Sequence, residues 1–276
     1  MTGFLVVNHY LSGEKFDILH NHLLICAKNM GIELKLKTNF EMLFEKETPD
    51  FVLFWDKDVN LVKALENKKI PVFNSSRAIE LCDDKMKTYL ALENVAKQPK
   101  TISAPLSFFD TDYTEFVEKA GEVLGFPLVF KECFGSFGEQ VHLCKNAKDV
   151  LKHINGRPFL LQKYIECKNE DVRLEVVGGR VVCAMRRKNE NDFRSNITNG
   201  GVAYEYTPSE YEKNLAIKAC SELGLTFGGV DIMNGDTICE VNSNAHIINI
   251  MHATGVDIAP LIFEEIEKTL RKSGQY

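Results

Sequence analysis

Gly229-Val230-Asp231-Ile232-Met233-Asn234-Gly235-Asp236-Thr237-Ile238-Cys239-Glu240-Val241-Asn242 runs from one apolar segment through a turn into another. Asn-Gly-Asp between two apolar runs is a hairpin signal. Side chains alternate along a strand, so Glu240 and Asn242 share a face. A two-residue loop at Asn234-Gly235 or Gly235-Asp236 is expected to bring Asp231 to that face as well. Two carboxylates and an amide oxygen held together make a hard donor set suited to Mg²⁺, which is bound jointly with substrate phosphates. Standing alone, the same residues read more readily as the wet face of an ordinary hairpin, so the rest of the chain matters.

Upstream, Lys85 follows Asp83-Asp84, and Lys131 stands near the end of the apolar strand Pro127–Cys133. A lysine in an apolar strand either snorkels to solvent or serves a phosphate. The turn Gly135-Ser136-Phe137-Gly138 then offers unobstructed backbone N–H groups, as a phosphate-covering loop does, though a plain hairpin turn has the same composition. Its spacing excludes a P-loop, and strands on both sides argue against a dinucleotide fingerprint. Arg186-Arg187-Lys188 and Arg194 place four cations within nine positions of an otherwise acidic chain. They suit either a triphosphate and a carboxylate or a solvated face paired with Glu190 and Asp192.

Outward from these motifs, short apolar runs alternate with amphipathic stretches in the first part of the chain, which argues for βαβ units. Strands are expected at Phe4–Asn8, 32–37, 50–55 and 71–74, with helices at 15–30 and 59–68. A helix over 77–94 leads to a second lobe holding a helix at 113–124, strands at 127–133, 140–144 and 159–165, and a helix at 147–154. From about Glu166 the pattern reads hairpin, loop, helix, hairpin, helix, with a frayed tail over 271–276.

With 276 residues, the chain is long enough for two or three lobes. It is 45% hydrophobic and 26% charged, a globular profile, and its formal charge of −6 disfavours a nucleic-acid-coating surface. The N-terminus has no basic region followed by a long apolar stretch, and runs such as Phe51–Trp55 fall short of the roughly 20 residues a membrane span needs. A cytoplasmic protein without a membrane partner is expected. Eight cysteines with no C-x-x-C pair are expected to be reduced core residues, not a disulfide framework or zinc site.

The order and content of these segments resemble the RimK-type branch of the ATP-grasp ligases over roughly residues 76–264. The resemblance is carried by Asp84-Lys85, Leu128-Val129-Phe130-Lys131, Leu161-Gln162-Lys163-Tyr164-Ile165, Asp171-Val172-Arg173, Asp192-Phe193-Arg194-Ser195-Asn196, Gly228–Ile232, Glu240-Val241-Asn242 and Thr254–Ala259. It implies an α/β chain with α+β catalytic lobes, that is, an ATP-grasp domain over 76–276 behind an N-terminal βαβ domain over 1–75. An ATP-covering subdomain would span about 104–165 and a metal-binding subdomain about 166–276.

The resemblance also implies that Lys85 and Lys131 lie toward the phosphates of ATP, with Gln162, Lys163, Tyr164 and Ile165 beside the adenine and Asp171 near the ribose. Ser136 and Gly138 would belong to a closing turn that excludes water, and Arg194, Ser195 and Asn196 would lie near the phosphates. Asp231, Glu240 and Asn242 would hold Mg²⁺, with Mn²⁺ as a substitute. Arg186 and Arg194 would stabilise developing charge while an acyl phosphate forms and an amine displaces phosphate. The partners would be small-molecule or peptide carboxylates and amines, glutamate among them.

Two departures stand out. Lys163 replaces an acidic residue, and Ser243-Asn244-Ala245-His246 replaces a small-Pro-Gly turn bordering the substrate pocket, where His246 and His252 stand. A thiol or hydroxyl acceptor, or a nucleotide-binding module without turnover, are the alternatives. Self-association is left open.

Overall fold

The computed structural model describes residues 1–136, 138–197 and 200–274. The first sheet is parallel, in the order β2-β1-β3-β4, built from β1 (Thr2–Val7), β2 (Glu33–Thr38), β3 (Phe51–Trp55) and β4 (Val72–Phe73). Every residue of β3 is buried, as expected of a strand covered on both faces. Helix α1 (Glu14–Asn29) buries Phe16, Leu19, Leu23, Cys26 and Ala27, one face at helical spacing, while the short α2 (Asn39–Met42) follows β2 and α3 (Val59–Asn67) links β3 to β4.

The stretch expected as one helix over 77–94 is two: α4 (Ser76–Asp83) and α5 (Lys85–Leu92). Asp84 breaks it. Its backbone is extended, and its carboxylate caps α5 by accepting from the backbone N–H of Met86 and Lys87. The break turns Lys85 into the first residue of a new helix.

The second sheet is antiparallel, in the order β5-β8-β6-β7, from β5 (Thr101–Ser103), β6 (Leu128–Glu132), β7 (Val141–Cys144) and β8 (Phe159–Lys163). Helices α6 (Thr114–Leu124) and α7 (Ala147–Leu151) flank it. Strand β8 ends at Lys163, so Tyr164 and Ile165, expected inside it, lie in the following loop. Phe137 falls outside the described residues.

The third sheet is antiparallel, in the order β11-β10-β9-β12-β13, from β9 (Glu170–Val177), β10 (Arg180–Lys188), β11 (Val202–Glu205), β12 (Phe227–Met233) and β13 (Thr237–Asn242). Helix α8 (Glu210–Leu223) carries a Ser209/Glu212 capping box. Helices α9 (Ile247–Thr254) and α10 (Ala259–Lys272) follow β13. The edge strand β11 and helix α9 were not anticipated; β11 is only 4 residues long and largely exposed, so it carries little hydrophobic pattern.

The first and third sheets share one core. Leu5, Leu53 and Trp55 belong to the same buried cluster as Val177, Phe227 and Ile262, and Trp55 stacks on Phe227 with ring centroids 5.5 Å apart. Asn74, just past β4, is almost fully buried. Its amide donates to the carbonyls of Phe227 at 2.9 Å and Ser243 at 2.8 Å and accepts from the Thr226 N–H at 2.8 Å.

Candidate functional site

The β12–β13 hairpin sets the site. Met233 pairs with Thr237, leaving a three-residue loop, Asn234 to Asp236, in place of the expected two-residue one. A bulge after Asp231 restores the register, so Asp231 still stands opposite Glu240 and Gly229 opposite Asn242. On the neighbouring strand Arg173 stands opposite Asp231.

One face of the third sheet therefore carries a line of charge. Arg173 grips Asp231 with two bonds, Nε to Oδ1 at 2.6 Å and Nη2 to Oδ2 at 2.7 Å. Arg187 reaches Asp231 at 2.9 Å and grips Asp171 through Nε and Nη2 at 2.7 and 2.6 Å. The Ser195 hydroxyl donates to Asp171 at 2.6 Å. Burial would raise the Asp231 carboxyl, but the two arginines outweigh it and hold the group below the usual carboxylate range.

Two adjoining cavities open beside this network. The first, about 860 Å³ including its mouth, lies between the second and third sheets. It is lined by Lys85, Lys131, Ser136, Gly138, Gln162, Lys163, Tyr164, Ile165, Asp171, Arg194, Ser195, Asn196 and Glu240, among others. Lys85 donates from Nζ to the carbonyl of Gly135 at 3.3 Å and lies 3.9 Å from Glu240. Burial pulls its ammonium below the ordinary lysine value and the neighbouring Lys131 adds to this, while Glu240 opposes it. Gln162 is fixed by its bond to the Thr101 hydroxyl at 2.9 Å.

The second cavity, about 1320 Å³, lies between the first and third sheets. It shares Ser136, Asn196 and Glu240 with the first, so the two form one continuous cleft. Asn242 and His246 line only the second.

Two expected positions differ. Arg186 lines neither cavity. Strand alternation sends it to the opposite face, where its guanidinium lies 4.6 Å from the ring centre of Tyr206. Its neighbour Arg187, not singled out from the sequence, faces the site, as does Arg173. Asp231 lines neither cavity either, because both of its oxygens are turned to arginines.

Among the described residues no cluster of three or more His, Cys, Asp and Glu side chains could hold a metal ion. Glu240 reaches both cavities and has Lys85 at 3.9 Å as its ion-pair partner, and the buried amide nitrogen of Asn242 has no acceptor among the described residues. One carboxylate and one amide fit Mg²⁺ shared with a phosphate, since that ion keeps waters and needs only one or two protein carboxylates. They do not fit a closed, all-protein cage.

Two antiparallel sheets facing each other across a cleft, behind a parallel N-terminal sheet, define the ATP-grasp fold. The solved D-alanine–D-alanine ligase of Bacillus anthracis superimposes with a TM-score of 0.78 at 18% identity, covering 100% of this chain and 99% of that one. A RimK domain ATP-grasp protein of Sphaerobacter thermophilus gives 0.73 at 20% identity, over 96% and 99%. In sequence, residues 82–266 match the RimK-like ATP-grasp domain. A probable alpha-L-glutamate ligase of Vibrio vulnificus is 34% identical over 270 residues, 94% of this chain and 87% of that protein. An uncharacterized protein of Mycoplasma pneumoniae is 32% identical over 240 residues, 80% and 83% of the two chains. The chain belongs to the RimK-like ATP-grasp family and is an ATP-dependent ligase that forms carbon–nitrogen bonds. No helix among the described residues is long and apolar enough to cross a membrane.

Proposed function

We propose that this enzyme activates a carboxylate with ATP and joins it to an amine, adding an amino acid such as glutamate to a small molecule or peptide. What supports this is one observation. Side chains spread from Lys85 to Glu240 in the sequence line a single cavity that opens directly onto a second one, a layout suited to a nucleotide beside its acceptor.

In the proposed reaction a carboxylate oxygen of the substrate attacks the γ-phosphorus of ATP, the bond to the bridging oxygen breaks, and ADP leaves. The amine then attacks the acyl carbon of the resulting acyl phosphate, phosphate departs, and the nitrogen sheds a proton. Lys85, Lys131 and Arg194 neutralise phosphate charge, a task that asks the protein mainly for positioning and electrostatics. Gln162 to Ile165 border the base, and Ser195 and Asn196 border the phosphates. Glu240 and Asn242 would hold Mg²⁺, which supplies charge neutralisation between phosphate oxygens when bound. Asp231, pinned by Arg173 and Arg187, orients this wall.

The related proteins named probable alpha-L-glutamate ligase favour glutamate as the amine. A cytoplasmic setting suits both the ATP requirement and eight cysteines that are all free.

The test is ADP release from ATP and Mg²⁺ with paired amino acids and short peptides, followed by mass spectrometry of the product. Amine-dependent ADP release with a product heavier by one amide-linked residue is expected. Release that ignores the amine would overturn the assignment.

A further inference from the structure

Four side-chain polar atoms among the described residues are buried without a hydrogen-bond partner, and three of them, Asp56 Oδ2, Asn242 Nδ2 and His246 Nδ1, belong to residues lining the second cavity. Buried polar groups are almost always satisfied, so a cluster of orphans around one cavity marks where a ligand completes them.

Asp56 is the most informative of the three. It follows β3 directly and stands beside Asn8, which follows β1; Val7 and Trp55 are partners in the parallel register. The chain leaves β1 for β2 on one side and returns to β3 on the other, so this is the switch point of the sheet, where ligands of open α/β sheets bind. Asn8 Nδ2 donates to Asp56 Oδ1 at 3.0 Å, orienting the carboxylate. The other oxygen receives nothing from the described residues, although Asp56 is only 7% exposed. The adjacent cation does not neutralise it, because Lys57 turns its Nζ to Asp83 at 2.5 Å. A buried carboxylate is costly unless a positive charge meets it.

We propose that Asp56, oriented by Asn8, anchors a primary ammonium group of the substrate in the second cavity, and that it does so on a nitrogen that stays protonated and does not react. The ligand class is therefore an amino acid or a peptide with a free amino terminus. The inference rests on the second cavity being the substrate side of the ligase. It is tested by binding alone, so that its failure is separable from failure of turnover.

Calorimetric titrations would use the protein with Mg²⁺ and a non-hydrolysable ATP analogue. The probes are L-glutamate against glutarate, L-aspartate against succinate, L-alanine against propionate, and L-alanyl-L-alanine against its N-acetyl form. At least one amino form is expected to bind about tenfold or more tighter than its partner, the scale of one charge-assisted hydrogen bond. Asp56→Asn should abolish that preference while the nucleotide analogue binds as before. If Asp56→Asn fails to bind nucleotide, Asn8→Ala carries the test, and the preference should fall about threefold or more. Equal binding of amino and desamino forms, a preference that survives in the variant, or no binding by any probe would each overturn the inference. Absent ADP release with an intact ammonium preference would instead strike the ligase chemistry and leave Asp56 in place.

Discussion

Arg194 donates through Nη1 to the carbonyl oxygen of Gly138 at 2.6 Å, so a single side chain ties the loop after β10 to the glycine turn after β6 across the first cavity. Its Nη2 is held by Asp192 at 2.7 Å, which fixes the direction of the guanidinium. Removing it as Arg194→Ala takes away both a cation and the latch on the turn. A hydrogen bond from a charged group contributes about 1.5–3 kcal/mol, so kcat/KM for ATP should fall about 10- to 100-fold. Steady-state ADP release at varied ATP measures this, and an unchanged value removes Arg194 from the site.

Glu240 borders both cavities, with Lys85 at 3.9 Å as its ion-pair partner, so little of the fold leans on it. Glu240→Gln should keep the melting temperature within a few degrees while ADP release drops about 100-fold or more. Full turnover in this variant would falsify its place as a magnesium ligand.

The adjacent arginines of β10 should behave differently. Arg187 is 3% exposed and holds the buried Asp231 and the half-buried Asp171. Arg187→Ala leaves Asp231 to Arg173 alone and Asp171 to the Ser195 hydroxyl, and should cost about 3 kcal/mol of stability along with activity. Arg186→Ala loses mainly the contact with Tyr206, a cation–π pair of about 0.5–1 kcal/mol, and should retain most turnover. Denaturant melts of the two proteins decide it; equal losses would place the two side chains on the same face.

Gly201 packs under the loop that presents Ser195 and Asn196. A methyl group there would lie 2.3 Å from the Ser195 carbonyl oxygen, a backbone atom with no rotamer to escape into. Gly201→Ala should therefore displace this loop and weaken nucleotide binding about tenfold. Titration with an ATP analogue reads the effect, and an unaltered Kd would show that the loop yields freely.

Glu175 is buried in β9, and burial pushes its carboxyl up to about 7 from an ordinary 4.5. A folded chain that holds this proton more tightly gains most below pH 4.5 and loses the gain as the pH climbs through 7, a swing of about 3 kcal/mol. The urea midpoint of the parent protein should fall between pH 5 and 8 more steeply than that of Glu175→Gln. Parallel curves would mean that Glu175 does not titrate in this window.

The three sheets were largely legible because their strands carry strong patterns: β3 is apolar throughout, and the β12–β13 hairpin announces itself through Asn234-Gly235-Asp236. Residues lining the first cavity were legible through the order of short motifs. What the pattern could not supply was facing. Arg186 and Arg187 differ only by strand register, and β10 carries a bulge between Val181 and Cys183 that no composition signals. Asp84 looked like helix interior, although an aspartate capping two N–H groups is a helix start. Asp56 was overlooked because a carboxylate at a strand end reads as a turn residue until the neighbouring strand brings Asn8 beside it. Glu175 was the missed signal in plain view, an acid inside Leu174-Glu175-Val176-Val177.

The three hydrogen bonds of the Asn74 amide, together with the Trp55–Phe227 stack, bolt the parallel sheet onto the frame of the largest one. Most of the wall of the second cavity thus belongs to a single chassis, with Ser136 of the turn after β6 at its border with the first. An acceptor entering there would meet a chamber whose width is set by those contacts and would be screened by its own size and charge.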